Sequence, residues 1–294
     1  AFHPTGPYPI LVITGEQGSA KSTLARLLRR VIDPNQADTA ALPRDERDLA
    51  IAAQNRHLVS YDNVSKIQHW LSDALSRIAT TGSFATRKLH SDRDETILKA
   101  CRPILLNGIT DFAARSDLAD RCIFVELTPI TPEERLPEAE VMLRFEIAEP
   151  EILGAICDAL QAALANQAET KLPWSPRMAD AARWVTAAEP GLGWEAGQYL
   201  AALKANSAAA KAVSLDADPV AWNVIGFLTP PRETEWEGSP TEFLDVLNAY
   251  ATEGAQRHPG WPRSPAVLGA QLKRMAPNLR EQGIEYINQK GGAD

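Results

Sequence analysis

The segment ITGEQGSAKST, residues 13–23, sets two glycines, a lysine and two hydroxyl residues directly behind an apolar run. That spacing can do phosphate chemistry. Gly15 and Gly18 let the chain wrap with its amides inward, and Lys21 would reach the β- and γ-phosphates of ATP. Ser22 would hold Mg²⁺, with Thr23 behind it, and the helix opening here would turn its positive end to the anion. Residues 15–23 (Gly15, Glu16, Gln17, Gly18, Ser19, Ala20, Lys21, Ser22, Thr23) are therefore expected to bind the nucleotide. Ala20 departs from the pattern, which has glycine at that place. Alanine is cheap there if its backbone angles are helical and costly if φ is positive.

Two later positions complete the set. HLVSYDN ends an apolar run in Asp62, where a carboxylate at the tip of a strand could bind the Mg²⁺ water shell. An aspartate that merely starts a turn fits the same pattern. Asn63 follows it; an amide there can orient water but cannot take its proton, which puts fast hydrolysis in question. PILLNGI ends in Asn107, whose amide could hold the attacking water and the γ-phosphate. An Asn-Gly pair also suits any strand exit.

These residues need a parallel sheet to hold them. Residues 10–14, 57–62, 103–109 and 121–127 read as strands, with a weak one near Thr39 to Leu42. Residues 20–31 read as a helix with Leu24, Leu27, Leu28 and Val31 on one face, and 66–80 as another capped by Ser65. Such alternation predicts an α/β fold with both sheet faces covered. Four segments are expected: a core at 1–140, an alanine-rich helical part at 141–212 broken near Pro173 and at PGLG, a linker at 213–237, and a small domain at 238–294.

Bulk properties agree with a globular chain. Of 294 residues, 45% are hydrophobic and 23% charged, enough to bury a core. No apolar run is long enough to span a bilayer, so no membrane partner is expected. No signal peptide is evident, which points to the cytoplasm. The chain lacks a starting methionine and reads as one preceded by further sequence. Cys101, Cys122 and Cys157 are scattered through apolar stretches and read as buried core thiols. The net charge of −8 excludes a surface coated by nucleic acid, so any DNA contact must be local.

Between Asp62 and Asn107 lies TTGSFATRKLHSDRDETILKACRP. With Lys21, Asp62 and Asn107, this stretch resembles AAA+ ATPases of the superfamily-three helicases and the helicase half of poxvirus-type primase-helicases. The resemblance covers residues 9–130. It implies a phosphate-loop core with sheet order 5-1-4-3-2, followed by a helical lid, in a ring-shaped homo-oligomer, a hexamer. It further implies a β-hairpin gripping single-stranded DNA, with Phe84 to His90 as one strand, Ser91 to Asp94 as its turn, and Arg87, Lys88 and Arg93 as DNA contacts. Asn107 would be the first sensor. Arg115 or Arg121 would be the finger reaching a neighbour's ATP, a choice left open. Arg177 would be a lid arginine, as consistent with an ordinary helix start. A primase domain or protein upstream is a further expected partner.

The tail, GWPRSPAVLGAQLKRMAPNLREQGIEYINQK, looks like the winged helix that ends many phage and plasmid primase-helicases. Val267, Leu268, Leu272 and Met275 would form its core face, and Ile284, Tyr286 and Ile287 a strand. Arg263, Lys273, Arg274, Arg280 and Lys290 would be phosphate contacts. The expected function is an ATP-dependent DNA helicase or translocase, the motor of a mobile-element or phage replication protein. Three rivals fit less of the sequence: an ATPase switch or loader that does not unwind DNA, a small-molecule kinase, and a transcription regulator.

Overall fold

The computed structural model describes residues 1–35, 40–87, 95–109, 116–230 and 233–288. It divides into two compact units, Ala1–Ala208 and Ala209–Asp294.

In the first unit, β1 (Ile10–Gly15) leads into α1 (Lys21–Ile32), then α2 (Glu46–Asn55), β2 (Val59–Tyr61) and α3 (His69–Thr80). β3 (Ser83–Arg87) and β4 (Glu95–Lys99) pair antiparallel, Ser83 opposite Lys99 and Arg87 opposite Glu95. β5 (Ile104–Asn107), the short α4 (Ser116–Ala119) and β6 (Cys122–Leu127) close the sheet. Its order is β2-β5-β1-β6, all parallel. This is an α/β fold whose four strands keep the expected order. Of the weak second strand expected near Thr39 to Leu42, the described residues hold one parallel bridge, Ala40 to Tyr61, at the β2 edge, and Thr39 lies outside them. β2 and β5 are buried at every position, as strands covered on both faces must be.

Two helices differ from expectation. α1 buries Ala25 and Arg29, with Leu24, Leu28 and Ile32 packed on Ile13, Leu58 and Leu105. The buried stripe is thus rotated away from Leu27 and Val31, and it carries a buried arginine. Arg29 Nη1 donates to the Leu58 carbonyl at 3.1 Å, and Asp33 Oδ2 accepts from the Leu58 amide at 2.9 Å. Together they tie the end of α1 to the start of β2. α3 begins at His69 with Gln68 at its cap, not Ser65.

α5 (Glu138–Asn166), α6 (Ala179–Ala188), a 3-10 turn (Glu189–Leu192) and α7 (Gln198–Ala217) follow. The breaks fall near Pro173 and in PGLG, where the chain cannot continue a helix. Arg26 pairs with Glu138 at 2.6 Å, and Arg30 with Glu146 and Glu149 at 3.2 and 2.8 Å, so α1 is fastened to α5.

Among its described residues the second unit's regular elements after α7 are all helices: α8 (Pro219–Phe227), α9 (Pro240–Tyr250), α10 (Glu253–Arg257) and α11 (Pro265–Glu281). Caps at Asp218, Ser239, Thr252 and Ser264 start each helix. The core is Val220, Val224, Leu247, Leu268, Leu272, Met275 and Leu279, among others, while Val267 is exposed. The expected strand after α11 does not form. Ile284 and Tyr286 pack on the helical core, and Ile287 is exposed. Alternation alone cannot make a strand where no neighbouring strand offers its backbone groups. No helix among the described residues is long and apolar enough to cross a membrane.

Cys122 is buried, and desolvation pushes its thiol pKa far above the ordinary value. Cys101 is half-buried, but Cys157 is exposed on α5, contrary to its apolar surroundings in the sequence.

Candidate nucleotide-binding site

β1 ends at Gly15 with φ 146°, under the carbonyl of Leu127, which leaves no room for a side chain. The chain then turns through Gly18, φ 86°, to Ala20. Ala20 is left-handed, φ 59° and ψ 25°, and makes no side-chain cap for α1. Alanine therefore stands in the costly case of the two set out above. The first turn of α1 carries no acidic residue, so its amides and dipole meet no competing carboxylate from that turn.

Lys21 folds back over this turn. Its Nζ donates to the carbonyls of Gly15 and Glu16 at 2.8 and 2.6 Å, and to Ser19 Oγ at 3.3 Å. Ser19 is buried and donates to the Glu16 carbonyl at 2.9 Å. The ammonium is thus held at the turn by weak neutral acceptors. A phosphate oxygen, being charged, would out-compete them.

The parallel sheet brings the remaining polar residues to the same edge. Ser22 Oγ donates to Asp62 Oδ1 at 3.1 Å. That carboxylate oxygen also accepts from the Asn63 amide at 2.7 Å. Asn63 has φ 55°, a conformation that asparagine tolerates better than most residues. Asn107, level with Ile13 on β1, is buried; its Oδ1 accepts from the Asn63 amide at 3.0 Å and its carbonyl from the Val64 amide at 2.8 Å. Its Nδ2 is buried without a partner among the described residues. Asn107 thereby fixes the exit of β2 and keeps one donor unspent.

The cations are placed less as expected. Arg121 precedes β6, and its carbonyl accepts from the Ile10 amide at 2.9 Å. It lies at the amino edge of the sheet. Six residues of β6 separate it from the edge that carries Gly15, roughly 20 Å at strand rise, so it cannot serve its own loop. Arg177 is exposed before α6 and has no ion pair among the described residues. Lys88, Arg93, Arg115 and Lys290 lie outside the described residues, as does the side chain of Arg87 at the end of β3. In the second unit Arg263, Lys273, Arg274 and Arg280 are all exposed, and Arg274 faces Asp218 at 3.9 Å.

One arginine was not anticipated. After β6 the chain returns over the glycine turn, and the Ile130 amide donates to the Gly18 carbonyl at 3.3 Å. Arg135, exposed, sets its guanidinium where a side chain on Gly18 would otherwise stand, 3.0 Å away. Its Nε donates to the Ile130 carbonyl at 3.3 Å. Nothing in the spacing of TPITPEERLPE announces this, because the contact depends on where the chain goes after β6.

A parallel α/β sheet with a glycine-bearing turn, a lysine, a hydroxyl–carboxylate pair and a buried amide at its carboxyl edge defines the class of protein. Within it, the chain belongs to the replication proteins of actinomycete integrative conjugative elements: that family model matches residues 1–213, and the AICE RepA C-terminal domain matches residues 220–294. This corrects the resemblance to superfamily-three and poxvirus-type helicases, and it replaces the winged helix with the RepA C-terminal domain. No curated protein matches the chain. Among solved structures it is similar to the A-form apo structure of the NrS-1 C-terminal region, at 14% identity and a TM-score of 0.33, over 83% of this chain and 54% of that one. A second structure of that region, 305–718, gives 14% identity and a TM-score of 0.29 over 48% and 34%. The chain spans about half or less of those proteins, and likeness at this level assigns no function.

Proposed function

We propose that this mobile-element replication protein is a phosphate-loop ATPase that moves on single-stranded DNA, with helicase action as its output. The observation that carries the reading is the Ser22–Asp62 hydrogen bond at the mouth of the glycine turn. It supports a shared Mg²⁺ position, because phosphate-loop enzymes hold the metal between the loop's hydroxyl and a carboxylate from a neighbouring strand. Bound there, the metal would neutralise charge on the β- and γ-phosphates. Lys21 and the uncapped amides of α1 would bind phosphate oxygens. Arg135 would add a second cation from the same chain, and Asn107 Nδ2 would orient the attacking water. Catalysis of this kind is positioning and charge stabilisation.

Arg121 is on the wrong edge for its own site, which favours an oligomer in which it, or Arg115, meets a neighbour's nucleotide. A ring would set the β3–β4 hairpins, with Arg87, Lys88 and Arg93, around a DNA strand. Arg263, Lys273 and Arg274 are secondary candidates for DNA.

Lys21→Ala tests the loop directly. It should abolish tight Mg-ATP binding in equilibrium dialysis; unchanged affinity would refute the assignment. Asn63 favours a second reading, a switch or loader that binds DNA without unwinding it, since the amide cannot accept the water's proton. Strand displacement on a forked substrate separates the two.

A further inference from the structure

The helical end of the first unit forms an open, solvent-facing cavity of about 700 Å³ that involves none of the loop residues, Asp62 or Asn107. It lies between the connection after α5, the 3-10 turn and the start of α7. Trp174 and Trp194 line it and are exposed residues, at 39% and 42%, so neither is consumed by packing. Lys171 and Lys204 line it too, both exposed and without an ion pair among the described residues. The lining carboxylate, Glu189, is buried and already engaged. Its Oε2 accepts from the Gly197 amide and its Oε1 from the Tyr199 amide, both at 2.8 Å, which fixes the wall in shape.

We propose that this cavity is a subsite for single-stranded DNA. One base stacks on the tryptophans, and Lys171 and Lys204 meet the flanking phosphates. Two aromatic faces beside two unpaired cations suit a nucleotide better than a purely apolar ligand. The strand must be single, because a duplex keeps its base faces inside the stack. In a chain of net charge −8, two lysines without an ion pair among the described residues, set at an aromatic cavity whose one carboxylate is held by backbone amides, form the kind of local cluster that DNA binding requires. The inference uses no residue of the nucleotide site.

The test is fluorescence anisotropy of a labelled oligothymidine with the full chain. Trp174→Ala with Trp194→Ala should weaken binding about tenfold, the worth of a stacked base. Trp174→Phe with Trp194→Phe should keep most of the affinity. Lys171→Ala with Lys204→Ala should flatten the log affinity against log salt slope by about 1.4. Basal ATP turnover should be unchanged in all three. Wild-type affinity in the alanine pair, with an intact circular dichroism spectrum, overturns the subsite; so does equal loss in the phenylalanine pair. Arg87→Ala with Lys88→Ala is measured in parallel. Loss confined to that variant sinks the tryptophan subsite and leaves the hairpin contact standing.

Discussion

The Ser22 hydroxyl donates to Asp62 Oδ1 across 3.1 Å, joining the first turn of α1 to the exit of β2 over 40 positions of sequence. Neither residue faces the other by any local rule. β5 stands between β1 and β2 in the sheet, and the contact is made over its carboxyl end.

If this pair holds Mg²⁺, Asp62→Ala should cut Mg-dependent ATP turnover by about a hundredfold, roughly 2.7 kcal/mol of charge stabilisation. Nucleotide affinity without Mg²⁺ should change little, because Lys21 remains. Parallel turnover and binding assays read both. Turnover at the wild-type rate would remove Asp62 from the site.

Asn107 does two things that two substitutions separate. Asn107→Ala removes one of the Asn63 amide's two acceptors, Asp62 Oδ1 being the other, and should cost about 0.5–1.5 kcal/mol of stability. Asn107→Asp keeps an acceptor but loses Nδ2. It should fold, bind nucleotide, and lose hydrolysis. Denaturation and turnover measured side by side distinguish them; full turnover in Asn107→Asp would deny the donor a role.

Arg135→Ala should weaken Mg-ATP binding about tenfold, about 1.4 kcal/mol, by removing a cation beside Gly18. The melting temperature should hold, since the side chain is exposed. Titration of a fluorescent nucleotide analogue measures it, and wild-type affinity would assign Arg135 to structure alone.

Ala20→Gly should stabilise the protein by roughly 0.5–1 kcal/mol. Left-handed alanine costs about 1–2 kcal/mol, and the extra unfolded-state freedom of glycine returns part of it. Urea denaturation reads the difference, and a loss of stability would contradict the left-handed turn.

Tyr61 gives a dependence on alkaline pH. Burial raises its pKa from 10.0 to about 12, and its hydroxyl has no partner among the described residues. The unfolded chain releases this proton first as pH rises, so stability should fall between about pH 10 and pH 12. Tyr61→Phe should flatten that fall and cost little at neutral pH. Denaturation midpoints across the range test it; an unchanged slope would mean the hydroxyl reaches water.

Short-range patterns were enough for much of the molecule. The glycines and lysine of the turn sit within a few residues of each other, so spacing alone marks them. The apolar runs ending at Asp62 and Asn107 mark strand tips in the same way. The strand at Ile284 to Ile287 failed because a strand needs a partner that sequence periodicity does not supply. The stretch between Asp62 and Asn107 points to superfamily-three helicases while the whole chain matches the RepA family, because a short charged segment does not by itself distinguish one family from another.

What the sequence by itself determined was which residue types meet the carboxyl ends of the strands, since periodicity and turn chemistry act over a few positions. Only the tertiary structure decided which of them touch. Strand order put Ser22 on Asp62 and Asn107 under Asn63, and it sent Arg121 to the far edge. The path after β6 laid Arg135 against Gly18, and helix packing drew Arg29 inside. Those contacts are settled by how distant segments share one core, a global balance of burial and hydrogen bonding that no local spacing records.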